Sequence, residues 1–140
     1  MDQRTIPILF ALLRSAICGT KLTEEERNDY SHDLLQDLLK ISSKHDVVHL
    51  LVFGLKQNEL ISKENSDIEK YFLKAVYRYE RLRYEYDNLC SALEKARIPF
   101  LPLKGSVIRK YYPEAWMRTS CDIDVLLHEK GVWFLPDTVF

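Results

Sequence analysis

From its first residues the chain places apolar side chains at helical spacing. Ile6, Leu9, Phe10, Leu13, Ala16 and Ile17 line one face of an amphipathic helix, which we assign to core packing. Gly19 should stop it. Thr23-Glu24-Glu25-Glu26 and Ser66-Asp67-Ile68-Glu69 are capping boxes, in which the hydroxyl and the later glutamate satisfy free backbone donors, so a helix should begin near each. The first of these carries Tyr30, Leu34, Leu35, Leu38 and Ile41 on one side. Another, from about Lys44, carries Val47, Val48, Leu51 and Leu55, and the two should form a helical hairpin.

The longest helix follows the Ser66 box and should run to about Ala96. Ile68, Phe72, Ala75, Tyr79, Leu82, Tyr86, Leu89 and Leu93 alternate in spacings of four and three, a seam that keeps facing one partner. It suits either a coiled-coil dimer, as in an all-helical assembly, or an internal spine. The apolar faces of the preceding helices need cover and favour the spine. Tyr77 to Asp87 interleaves tyrosine with arginine and glutamate. That could be a stacking surface for nucleic acid, but its acids cancel its bases, which favours a solvated face with ion pairs such as Arg81 with Glu85.

At Ile98-Pro99 the pattern changes. Proline ends the helical run, Phe100 to Leu103 reads as a short buried strand, and Gly105-Ser106 is a turn opening a helix through about Tyr112. Pro113 closes that helix, and a loop leads to a second strand, Cys121 to Leu127. The expected organisation is α+β, with a helical region over residues 1–97 and a strand-bearing core over 98–140.

Composition adds little beyond a soluble globular class: 140 residues, 46% apolar and 29% charged. A net charge of -1 supplies no global field for capturing nucleic acid, and none is indicated as a partner. Cys18, Cys90 and Cys121 are odd in number and lack zinc-ligand spacing, which suits a reducing cytoplasm. The Ile6 to Leu13 run is not a secretion signal: Asp2 offsets Arg4 before it, and Arg14 follows without a cleavage pattern. It is also too short to span a membrane.

The chemistry gathers between Leu103 and Leu127. In an extended strand Asp122 and Asp124 point to one side while Ile123 and Val125 point to the other. Paired carboxylates repel, and hard oxygen ligands of this kind suit Mg²⁺ held together with substrate phosphates. Gly105 allows close approach of backbone to an anion, and Ser106 can add a hydroxyl contact. Arg118 can hold phosphate oxygens in a fork, and Lys104 can act as a point charge, although either could simply pair with an acid such as Glu114. His32, His45, His49 and His128 are scattered. His45 and His49 are four apart but lack the glutamate of a zinc-protease motif, so a surface or core role is expected. Cys121 should face away from Asp122, and Trp116 should pack over the strand edge.

The order of strand, Gly105-Ser106, short helix and Asp122-Ile123-Asp124-Val125 resembles the DNA polymerase beta-like nucleotidyltransferase superfamily. More closely, Leu103-Lys104-Gly105, Tyr112-Pro113, Arg118 and Asp122-Ile123-Asp124 resemble a bacterial family of uncharacterised nucleotidyltransferases with an N-terminal helical region. The resemblance implies a mixed sheet and Mg²⁺-dependent transfer of a nucleoside monophosphate from an NTP, ATP being the commonest donor, to an acceptor hydroxyl that the sequence does not name. Asp122 and Asp124 would be the catalytic metal ligands, and Lys104, Gly105, Ser106 and Arg118 would hold the nucleotide.

The superfamily also implies a third carboxylate from a later strand. The tail from Gly131 to Phe140 offers only Asp137, and the residues after Ile98 are too few for a sheet of about five strands. The expectation is therefore a C-terminally truncated or frame-shifted member with a partial catalytic half. Its exposed sheet edge would recruit a protein partner or a second copy. The alternative function is a catalytically inactive relative acting as a protein-interaction module.

Overall fold

A computed structural model describes residues 2–61, 66–119 and 122–135. The protein is α+β, with helices first and a small antiparallel sheet after them. The chain divides into two compact units, Met1–Ala75 and Val76–Phe140.

The first unit is built on helices α1 (Thr5–Cys18), α2 (Glu24–Asp29), α3 (Leu35–Lys44), α4 (Val48–Gln57) and the start of α5 (Ser66–Lys95). Gly19 caps α1 in the left-handed conformation (φ 69°) and its amide donates to the Ser15 carbonyl, which is the stop the sequence predicts. At α2 both halves of the capping box form: the Glu26 amide donates to Thr23 Oγ1 and the Thr23 amide to the Glu26 carboxylate. The seam Ile68 and Phe72 of α5 joins the core of Leu12, Leu38, Leu51 and Leu55, as the internal-spine reading expects. The capping contact expected from the Ser66 side chain lies outside the described residues.

Two expectations need correction here. The buried face of α1 is turned from the expected one: Ile8, Leu9, Leu12 and Ala16 are buried together with Thr5 and Ser15, while Phe10 is 66% exposed. Small groups decide this, because α4 approaches so closely that a Cβ on Gly54 would lie 2.5 Å from the Leu12 carbonyl oxygen. Ser15 lies on that face because Asn58, fully buried after α4, donates to its Oγ (2.7 Å) and to the Gly54 carbonyl (2.8 Å) while accepting from the Leu22 amide (2.9 Å). Second, the helix expected from Thr23 through Ile41 is broken. Tyr30 and Ser31 are extended, and a 3₁₀ turn, His32–Leu34, leads into α3. The break lets Leu34, Leu35 and Leu38 reach the core while α2 buries none of its residues.

The second unit holds the rest of α5, strand β1 (Phe100–Pro102), helix α6 (Gly105–Ile108), 3₁₀ turns at Arg109–Tyr111 and Ala115–Met117, and strands β2 (Val125–Glu129) and β3 (Val132–Phe134). In α5 here Leu93 is buried and Tyr79, Leu82, Tyr86 and Leu89 are half-buried, while Tyr77 and Tyr84 are exposed. On this stretch Arg83 pairs with Glu80 (3.1 Å).

β2 is central, pairing antiparallel with both β1 and β3. β3 was not foreseen. Lys130 and Gly131 both have positive φ (52° and 84°) and make a two-residue turn of the primed type that suits the twist of paired strands. Across that hairpin His128 and Trp133 face each other with ring centroids 5.0 Å apart.

Candidate functional site

The candidate residues lie between β1 and β2. β1 ends at Pro102, but the Leu103 amide still donates to the Asp124 carbonyl at 2.9 Å, extending the ladder by one bond. There the chain turns sharply. Lys104 takes φ 40°, ψ -104°, an unusual conformation for a residue with a Cβ, and its carbonyl accepts from the amides of Val107 and Ile108 to start α6. The turn therefore falls on Lys104 rather than on Gly105-Ser106, and Gly105 is buried as the first residue of the helix.

The same geometry shortens the carboxylate strand. β1 ends where Lys104 turns away, and in the described segment that starts at Asp122 regular pairing of β2 begins only at Val125. Asp122 and Asp124 thus lie in the segment that enters β2, Asp122 exposed and Asp124 half-buried. Lys104 Nζ stands 3.5 Å from the Asp124 carboxylate, so the pairing expected with Glu114 goes to a member of the candidate site itself. Cys121 and Asp137 lie outside the described residues. Cys18 and Cys90 are free thiols.

Arg118 follows the second 3₁₀ turn, four positions before Asp122, and Trp116 within that turn is half-buried. Sequence reasoning missed a neighbouring residue. Arg109, directly after α6, is half-buried with its guanidinium 5.5 Å from the centre of the Tyr79 ring, a cation–π distance. Burial lowers its pKa, the Tyr79 hydroxyl opposes that shift, and the like charge of Arg118 adds to it. A lone arginine in a helical segment carries no spacing signal that could have marked it.

Of the histidines, His49 is buried in α4 and His45 is exposed, in keeping with core and surface roles. Among the described residues no three His, Cys, Asp or Glu side chains cluster as a protein-only metal cage, and no helix is long and apolar enough to cross a membrane.

No curated protein and no solved structure matches the chain. Residues 32–133, which include the last helices of the first unit as well as Lys104 to Asp124, match the family described as uncharacterised nucleotidyltransferase. The match spans most of the chain, and the protein belongs to that uncharacterised nucleotidyltransferase family.

Proposed function

We propose that the protein transfers a nucleoside monophosphate from an NTP, most simply ATP, to an acceptor hydroxyl, with Mg²⁺ held at Asp122 and Asp124. One observation carries the reading beyond family membership. The Leu103 to Asp124 hydrogen bond sets the Lys104-Gly105 turn beside Asp124, so a cation, the first-turn amides of α6 and one acid meet at one end of a β-ladder, with Asp122 two residues earlier in the chain.

The donor set fits the metal. Mg²⁺ keeps several waters and needs only one or two protein carboxylates when substrate phosphates complete its shell. When bound it would neutralise phosphate charge and polarise the reacting phosphorus. Around it the chain supplies position and charge. The amides of Gly105 and Ser106 begin α6 and have no intrahelical acceptor, which leaves them available to a phosphate oxygen. Lys104 exchanges its Asp124 contact for the phosphate chain, and Arg118 offers a planar fork. In the transfer, the acceptor oxygen bonds to the α-phosphorus, the bond from that phosphorus to the bridging oxygen breaks, pyrophosphate departs with the electron pair, and the hydroxyl proton passes to solvent.

The test is calorimetric titration of ATP into the chain with Mg²⁺ and with EDTA, against Asp122→Asn/Asp124→Asn. Mg²⁺ should tighten ATP binding well beyond its level in EDTA, and the double variant should lose that gain. Equal binding by the double variant, or no binding by the folded protein, would refute the reading, and the latter would favour an interaction module without nucleotide affinity.

A further inference from the structure

Arg109 and Arg118 form a cationic pair whose electrostatics are not closed by the protein. Each Nε is buried and has no hydrogen-bond partner, and neither guanidinium pairs with a carboxylate among the described residues. Leaving such donors unmade is costly, and arginine is seldom buried without an acid or an anion against it. The turn Arg109–Tyr111 packs against the turn Ala115–Met117, which Arg118 follows, and the like charge of Arg118 bears on Arg109. Repulsion alone would drive flexible arginines apart into solvent. The guanidinium of Arg109 is instead held over the face of Tyr79, while Arg118 follows the short turn Ala115–Met117.

Two arginines on adjoining turns, each with a buried Nε–H unfilled, match a ligand with several anionic oxygens. A single carboxylate would satisfy one fork. A pyrophosphate group can satisfy both, since each of its phosphorus centres offers oxygens for bidentate contact. We infer that Arg109, stacked on Tyr79 and opposed to Arg118, completes a polyphosphate subsite that holds the pyrophosphate portion of the donor nucleotide.

The subsite rests on the nucleotidyl-transfer reading for its biological ligand, but its physical claim is independent of the metal and of the acceptor. In that reading the arginines hold the leaving group while Asp122 and Asp124 serve the metal. Tyr79 is a positioning residue, acting only through Arg109.

The experiment measures binding of inorganic pyrophosphate, ATP and AMP to the full chain in EDTA, so that metal and aspartates take no part. Arg109→Gln should weaken pyrophosphate and ATP together by at least about tenfold and leave AMP unchanged. Arg109→Lys keeps the charge without the fork and should fall between. Arg83→Gln, an exposed arginine paired with Glu80, should bind as wild type. Thermal melts accompany each variant; if Arg109→Gln does not fold, Arg109→Lys and Arg118→Gln carry the test. Wild-type pyrophosphate affinity in the folded arginine variants, or no pyrophosphate binding by the wild-type chain, would overturn the subsite. So would a loss confined to ATP. Pyrophosphate binding lost with Arg109 while Mg²⁺–ATP binding ignores the aspartates would keep the subsite and reject the proposed metal chemistry.

Discussion

Replacing Gly54 by alanine should destabilise the first unit, although a helix interior normally prefers alanine by about 0.8–1 kcal/mol. The sign reverses because of what the added methyl meets. Its carbon would lie 2.5 Å from the Leu12 carbonyl oxygen, 3.1 Å from the carbonyl carbon and 3.4 Å from Cα. These are backbone atoms of α1 and cannot rotate away. Relief requires α1 and α4 to separate at a level where Leu12, Leu51 and Leu55 are fully buried. Overpacking typically costs about 1–3 kcal/mol, and a 2.5 Å approach to backbone belongs in the upper part of that range, about 2–3 kcal/mol, so subtracting the propensity gain leaves a net loss of about 1–2 kcal/mol. In a unit the size of Met1–Ala75, each kcal/mol moves the melting temperature by about 4–8 °C, so the expected fall is about 4–16 °C. Far-UV circular dichroism reads the melt, and amide exchange in α1 and α4 assigns it to this unit. A Gly54→Ala protein that melts at or above wild type, with exchange unchanged, would show that the close approach does not govern the packing.

Two further outcomes follow from local geometry. Lys104 pays conformational strain at φ 40°, of order 1–3 kcal/mol for such backbone positions, so Lys104→Gly should raise the unfolding midpoint of the second unit, read by Trp116 and Trp133 fluorescence, while weakening Mg²⁺–ATP binding. A fall in stability would mean that its contact with Asp124 outweighs the strain. The Glu26 carboxyl is held below its ordinary pKa, first by the hydrogen bond from Arg14 and then by the Thr23 amide. Its stabilisation is therefore complete above the ordinary carboxylate range and fades as pH falls through the lowered value. The gap in urea midpoint between wild type and Glu26→Gln should be widest at neutral pH and narrow towards about pH 3; a constant gap would contradict this.

What the sequence made readable was mostly local chemistry. Gly19 and the Thr23 box act within one turn of chain, and their consequences appear as expected. The seam of α5 was readable because a regular period survives over many turns. The face of α1 was not, because Thr5 and Ser15 are polar by type yet buried by the demands of Gly54 and Asn58, residues far along the chain. The break at Tyr30 was hidden for a similar reason: periodicity continues through it, and only the core decides that α3 must pack separately. At the candidate site, residue types were legible and backbone was not. The strained turn moved to Lys104, and the strand start moved to Val125, because the length of β1 fixes both. β3 escaped notice because the Lys130-Gly131 turn is less distinctive than Asn-Gly or Asp-Gly.

The Leu103 to Asp124 bond also bears on how this protein could change over evolution. It closes the segment from Lys104 to Ile123 into a single loop whose two ends are fastened to the same ladder. Doubling the length of a flexible loop adds only about 0.6 kcal/mol of closure entropy. The stretch around Tyr111 to Glu114, which is largely exposed, can therefore gain or lose residues with little effect on where Lys104 and Asp124 meet. Such an arrangement uncouples the length of the intervening segment from the register of its two ends, so Lys104 and Asp124 keep their places while the chain between them varies.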